Sequence, residues 1–105
     1  MIQIDLLKEK LHPIFKKYQI EKAILFGSAA RNDSTRHSDI DLIIIQNTTL
    51  RFLDRYDGIF AAFSQALSEW DVDLLIYTPQ ELAEISGRPF IMQILKEGKI
   101  LYESK

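Results

Sequence analysis

The chain opens with apolar residues at helical spacing. They recur every three or four positions, at Leu7, Leu11, Ile14, Phe15 and Tyr18. Such a pattern places the apolar side chains on one face, and it predicts an amphipathic helix over about the first 18 residues. Pro13 lies within the pattern and predicts an irregularity in this helix, because proline has no N–H to donate.

Three short apolar runs predict β-strands. They cover residues 23–26, 39–45 and 72–77, and the isoleucine-rich second run is typical of a strand buried on both faces. Between the second and third runs, apolar residues again step by three or four from Leu50 to Glu69, which predicts one long helix. A strand, a helix and a strand in this order predict a right-handed crossover with the two strands parallel.

The last third of the chain carries local signals for two helices and a strand. Thr78 and Glu81 have the spacing of a capping box, which predicts a short helix beginning there. A further helix is predicted from Pro89 to Leu95, with Gly98 at its C-cap. Residues 99–103 then predict a final strand at an edge of the sheet.

Composition limits the class of protein. A length of 105 residues, with 47% hydrophobic and 27% charged residues, predicts a single domain over residues 1–105. No apolar run approaches the roughly 18 residues needed to cross a bilayer, and no secretion signal is evident, so we expect no membrane partner. The absence of cysteine excludes disulfides and thiolate metal sites and fits the cytoplasm, the location we expect. A net charge of −2 does not indicate non-specific binding to nucleic acid.

Four aspartates lie near the starts of two predicted strands. Asp39 and Asp41 share one face of the second strand, and Asp71 and Asp73 share one face of the third. Parallel strands begin at the same edge of a sheet, so these acids are expected to converge. The pair Gly27-Ser28 reaches that edge only if the first strand runs antiparallel to the second. The fold class predicted is therefore α/β (α+β), a small mixed sheet with helices packed on it.

This set of residues has the chemistry of a phosphoryl-transfer site. Crowded carboxylates raise one another's pKa unless a cation offsets their charge, and carboxylate oxygens are ligands that Mg²⁺ prefers. Two Mg²⁺ ions would clamp an in-line displacement at phosphorus. Gly27 lets backbone N–H groups approach a phosphate, and Ser28 adds a hydroxyl. Arg31 is a candidate for a charge-assisted contact with the same phosphates.

The motif resembles that of the DNA polymerase beta nucleotidyltransferase superfamily. Its parts are Gly27-Ser28, ten intervening residues, Asp39-Ile40-Asp41, and a later lone carboxylate, Asp73, in an apolar strand. In particular, "FGSAAR" and "SDIDLIII" are similar to the minimal nucleotidyltransferases, single-domain prokaryotic proteins of about this length, some of which are antitoxins. Those relatives usually have glycine after the matching arginine, whereas this chain has Asn32. That departure concerns the loop and leaves the aspartates in place.

The resemblance implies roles for the matching residues. Asp39 and Asp41 are expected to bind metal, Asp73 to complete the triad and help deprotonate an acceptor hydroxyl, and Gly27 and Ser28 to hold a nucleoside triphosphate. It also implies a polymerase beta-like fold and a Mg²⁺-dependent transfer of a nucleoside monophosphate, with ATP giving AMP. The acceptor it suggests is a tyrosine of a small helical HEPN protein. A hydroxyl of RNA or of a small molecule stays open as acceptor.

Other functions compete with this one. The chain would alternatively be a non-catalytic, nucleotide-binding antitoxin or regulatory subunit that neutralises a partner by contact. A third alternative is a structural domain whose acids bind cations. Base preference, oligomeric state and the choice between modification and contact stay open from the sequence.

Taken singly, the site residues also have structural interpretations. Asp39 would lie in solvent, Asp41 would pair with Arg31 or Arg36, and Arg31 would be a solvated loop charge. Asp71 competes with Asp73 for the third carboxylate because period two puts both on one face. The combination of residues favours the active-site interpretation.

Overall fold

The computed structural model of the chain describes residues 3–31 and 39–104. Its helices are α1 (Ile4–Lys17), α2 (Ile59–Ala66), α3 (Pro79–Ile85) and α4 (Pro89–Glu97), with a short 3-10 helix at Leu53–Tyr56. Its strands are β1 (Ile20–Phe26), β2 (Ile40–Gln46), β3 (Val72–Tyr77) and β4 (Lys99–Glu103). Asn32 and Arg36 lie outside the described residues, and with them the expectations for the loop.

The four strands form one mixed sheet in the order β3-β2-β1-β4. β1 runs antiparallel to β2 and to β4, whereas β2 and β3 are parallel. The predictions of an antiparallel first strand, a parallel pair and a final edge strand are therefore confirmed. These strand directions matter for function because they bring the end of β1 and the starts of β2 and β3 to one edge of the sheet.

Strand β2 separates two apolar layers. Leu42 and Ile44 belong to the larger core, with buried residues of α1 and α2, while Ile43 and Ile45 pack with α4 and α3 on the other face. Burial of β2 on both faces is thus confirmed. Because side chains alternate along a strand, Asp41 shares the face of Ile43 and lies on the side of the sheet that α4 covers.

Helix α1 buries one stripe against the sheet. Leu7, Leu11 and Phe15 are at most 1% exposed, and they follow the spacing seen in the sequence. Pro13 lies on the exposed side, and one helix continues through it. In the two described ranges, no helix combines the length and apolar character needed to cross a membrane.

The single long helix predicted from Leu50 to Glu69 is wrong. A 3-10 helix and α2 replace it, and Gly58 joins them with a φ of +78°, in the left-handed region that interrupts a right-handed helix. The apolar spacing continues across this break, so periodicity alone could not reveal it. Leu53 and Phe60 are 79% and 46% exposed, whereas Phe63 is fully buried.

The local signals near the C-terminus are confirmed. Thr78 Oγ1 accepts from the N–H of Glu81 at 3.1 Å, and Glu81 Oε1 accepts from the N–H of Thr78 at 2.9 Å, which completes the capping box. Gly98 ends α4 as predicted, but with a φ of −67°. Glycine is required there for lack of space, because a Cβ would collide with Ile24 of β1 and with the carbonyl of Ile94.

Candidate active site

The register of the parallel strands brings two aspartates together. In the β2–β3 pairing, Asp41 lies opposite Asp73, one position after the pair formed by Ile40 and Val72. The side chains of Asp41 and Asp73 are close enough to share a hydrogen bond. The predicted convergence of acids from two strands is therefore present in the fold.

The end of β1 meets the same point from the other side. Phe26 is paired with Asp41 across the antiparallel ladder, so Gly27 leaves the sheet directly beside this carboxylate. Gly27 has a φ of +75°, and a Cβ on it would lie 2.5 Å from Asp41 Oδ2. A side chain at position 27 would thus be strained in its backbone and would overlap the acid, and glycine avoids both costs.

A tight turn follows Gly27. The backbone N–H groups of Ala30 and Arg31 both donate to the Gly27 carbonyl, at 3.2 and 3.3 Å. Ser28 is half-buried within this turn, and Ala29 and Ala30 are buried. The turn is anchored by two apolar residues, and its first residues lie next to the aspartates, as the sequence predicted.

The surroundings of Asp41 and Asp73 disfavour two negative charges. The pKa of Asp41 is raised to about 6, mainly by partial burial, and the charge of Asp73, a hydrogen bond with Asp73 and the charge of Asp39 contribute to this rise in that order. All of these influences raise the pKa, so the fold holds the two carboxylates close together in spite of their repulsion when both are ionised. Asp71 is absent from them, although its carbonyl accepts from the N–H of Ile40 at 2.8 Å. The contact with Asp41 thus favours Asp73 over Asp71 as the third carboxylate.

The donor set suits a hard divalent cation. Carboxylate oxygens are the ligands Mg²⁺ prefers, and a cation between Asp41 and Asp73 would remove their repulsion. Asp39 lies just before β2 with an exposed side chain. In the parts of the chain that the structure describes, no three acidic, histidine or cysteine side chains are yet arranged to hold an ion together. The charge and chemistry of the pair therefore fit a metal, and Asp39 would have to turn towards it.

Arg31 lies at the border of the site and helix α4. Its Nη1 atom is 3.9 Å from Glu97 Oε2, and both side chains are nearly half exposed. Behind this contact lies a cavity of about 340 Å³, bounded by Phe26, Gly27 and Asp41 on the sheet side and by residues of α4 on the other. The contribution of α4 was not predicted from the sequence. The spacing of Phe90, Gln93 and Glu97 is the signal that places them on one helix face.

Comparison with known proteins gives concordant results. The family model described as "Polymerase beta, Nucleotidyltransferase" matches residues 9–105. A Haemophilus influenzae protein named "Probable protein adenylyltransferase MntA" is 36% identical over 77 residues, which are 71% of this chain and 67% of that protein.

Two solved structures share the fold. A crystal structure described as a toxin-antitoxin with AMP-PNP has a TM-score of 0.66 at 22% identity, covering 93% of this chain and 74% of that one. A structure described as a tri-AMPylated Shewanella oneidensis HEPN toxin in complex with MNT antitoxin has a TM-score of 0.61 at 21% identity, covering 97% and 74%.

Proposed function

Because the chain belongs to the polymerase beta nucleotidyltransferase family, we propose that it transfers AMP from ATP to a hydroxyl group of a protein partner. The family match confirms the resemblance, the fold and the enzyme class predicted from the sequence. The MntA relative is named an adenylyltransferase, and one fold neighbour contains an AMPylated HEPN toxin. The acceptor we propose is a tyrosine of a helical HEPN-type protein, with this chain in the antitoxin role.

The observation that carries the proposal is the acidic pair beside a glycine turn. Asp41 and Asp73 are in contact, the pKa of Asp41 is raised, and Gly27 fits against the Asp41 carboxylate with no room for a side chain. Two acids in contact at the starts of neighbouring strands repel each other and so disfavour a purely structural role. They suit a site that binds a polyanionic substrate together with its cations.

Asp39, Asp41 and Asp73 are the proposed metal ligands, and the sequence motif suggests two Mg²⁺ ions. Bound Mg²⁺ would supply the positive charge that a triphosphate needs in an acidic site and would stabilise the departing pyrophosphate. We place the reaction in the cytoplasm, where ATP and magnesium are available.

The chain's own residues would hold the substrate and move one proton. Gly27 and Ser28 offer backbone N–H groups and a hydroxyl to the phosphates, and Arg31 adds charge at the border of the site. Asp73 would accept the proton of the acceptor hydroxyl. The acceptor oxygen then forms a bond to the α-phosphorus of ATP while the bond from that phosphorus to pyrophosphate breaks.

The acceptor site is expected to come from the partner. We propose that residues 1–105 act as one catalytic domain, in which the described strands build one sheet and the helices pack on it. A macromolecular partner would then present its hydroxyl at the open edge of the sheet.

The test is transfer of label from α-³²P-ATP, with Mg²⁺ and the protein encoded beside this one. Wild type should label the partner, and Asp41→Asn should lower the rate about 10³-fold, since it removes a proposed ligand without changing the size of the side chain. Asp71→Asn is the matched control, because Asp71 lies at the same edge but does not influence Asp41. We expect it to retain most of the activity.

The rival function is neutralisation by contact alone. It would be supported if wild type and Asp41→Asn suppressed the partner's activity equally and neither transferred label. Equal labelling by wild type and Asp41→Asn would instead refute the assigned site.

A further inference from the structure

The cavity beside the acidic pair lies between the sheet and helix α4. Phe26 and Asp41 line it on the side of the sheet, and Phe90, Gln93 and Glu97 line it on the side of α4. Its volume of about 340 Å³ is near the lower limit for small-molecule sites, which suits a single nucleoside and not a whole triphosphate with its metals.

Two aromatic rings give this cavity an apolar lining. Phe26 and Phe90 lie edge to face, with ring centroids 6.3 Å apart and an interplanar angle of 86°. Phe90 is 60% exposed, so most of this large apolar side chain is in contact with solvent. A planar base entering the cavity would cover that surface, and stacking on an aromatic ring is favourable for any base.

Two polar side chains of α4, Gln93 and Glu97, give the cavity a hydrogen-bonding group with a defined orientation. Gln93 Nε2 donates to Glu97 Oε2 at 3.4 Å, and Arg31 Nη1 lies 3.9 Å from the same oxygen. An ionised carboxylate only accepts hydrogen bonds, so Glu97 orients the Gln93 amide with its nitrogen towards that carboxylate. The remaining atom, Gln93 Oε1, is an acceptor, and none of the hydrogen bonds among the described residues uses it.

We infer that this cavity is the base subsite of the nucleotide and that Gln93 selects adenine through its amide oxygen, with Phe90 stacking on the ring. The inference rests on the proposed function. Adenine carries an amino group on C6, which donates to an amide oxygen, whereas guanine carries a carbonyl there, which would face that oxygen acceptor to acceptor. Gln93 is thus a specificity-determining residue, and Glu97 positions it.

The test is equilibrium binding of ATP, GTP and inorganic tripolyphosphate to the full chain in Mg²⁺. Wild type should bind ATP about tenfold more tightly than GTP, as expected for one hydrogen bond gained and one repulsion avoided. Gln93→Leu should bring that ratio close to one and leave tripolyphosphate affinity unchanged. Gln80→Leu, at an exposed position in α3 away from the cavity, should behave like wild type.

A second pair of variants separates stacking from base selection. Phe90→Ala should weaken ATP and GTP by similar factors, about fivefold or more, because stacking tolerates any base. Phe60→Ala, which truncates an exposed phenylalanine on α2, should change neither affinity. All four substitutions are at exposed positions, so thermal unfolding should confirm intact folds.

The outcomes distinguish two kinds of failure. If wild type binds ATP, and the ratio of ATP to GTP affinity is near one or is unchanged in Gln93→Leu, the base subsite is wrong while the proposed function survives. If wild type binds neither nucleotide nor tripolyphosphate, the proposed function fails, and the base subsite fails with it.

Discussion

Two groups of charged side chains lie at opposite edges of the same sheet. Where β2 and β3 begin, Asp41 and Asp73 are in contact, and partial burial together with the charge of Asp73 raises the pKa of Asp41. Where β3 ends, Arg55 is only 6% exposed, and its guanidinium donates to the carbonyl of Ile76 at 3.2 Å and to both carboxylate oxygens of Glu81.

The difference lies in where the compensating charge comes from. At the Arg55 edge the chain supplies every partner itself, including the carbonyl of Leu50, which accepts from Nε at 3.0 Å. The pKa of Glu81 falls to about 2, mainly because Arg55 donates to it. At the Asp41 edge, every influence from the described residues raises the pKa, and we propose that a bound cation offsets this charge. The paired charges of Arg55 and Glu81 stabilise the fold, whereas the acidic pair is the proposed metal site.

The largest change in stability is expected at the buried ion pair of Arg55 and Glu81. Arg55→Ala should lower the free energy of unfolding by about 3 kcal/mol, since it removes a buried charge and strands its hydrogen-bond partners. Urea titration of the purified chain would measure it. Arg51→Ala removes an exposed arginine from the same segment and should stay within about 0.5 kcal/mol of wild type. Equal losses in both variants would contradict a structural role for the buried cation.

A smaller change in stability, of opposite sign, is expected at the acidic pair. With chelator present at pH 7.5, Asp41→Asn should raise the free energy of unfolding by about 1 kcal/mol, a value discounted because the side chain is partly solvated. The folded protein keeps the Asp41 proton up to about pH 6, while the unfolded chain loses it near 3.8. Wild-type stability from this group therefore falls as pH rises from about 4 to 6.

The pH dependence provides the control for that prediction. The advantage of Asp41→Asn should shrink at pH 3.5, where the wild-type carboxyl is protonated in the folded protein and largely protonated in the unfolded chain. Asp71→Asn, which changes a carboxyl that does not influence Asp41, is the matched control. An advantage of the same size at pH 3.5 and 7.5 would show that repulsion is not its source.

The smallest effect is confined to acid. Because the pKa of Glu81 is about 2 when folded and 4.5 as the ordinary value, its stabilisation is complete above pH 4.5 and is lost as pH falls towards 2. Glu81→Gln should reduce the pH dependence of the thermal unfolding midpoint over this range. Circular dichroism melts at a series of pH values would measure it. Glu84→Gln, exposed on the same helix, should keep the wild-type slope. If both variants kept it, the ion pair would not be the origin of the acid sensitivity.

The sequence predicted those parts of the fold that depend on neighbouring residues. The isoleucine run of β2 needs burial on both faces, and the capping box of Thr78 and Glu81 is complete within four residues. The break at Gly58 was not predicted, because apolar spacing on either side of a left-handed residue can stay in phase.

The site was predicted only as far as its strands. Period two puts Asp71 and Asp73 on one face, and only the inter-strand register pairs Asp73 with Asp41. The wall contributed by Gln93 and Glu97 depends on how α4 packs against β1, and their helical spacing shows that they share a face but not what that face contacts. Both facts come from packing between segments distant in the chain.

Gly98 has a consequence for the speed of ligand capture. The missing side chain lets the end of α4 rest on Ile24 of β1, the strand that leads into Gly27 three residues later. Both described walls of the cavity are therefore fixed to a single strand. Association then requires little rearrangement of these walls, and it should proceed at the rate of an ordinary diffusional encounter, without a slow closing phase.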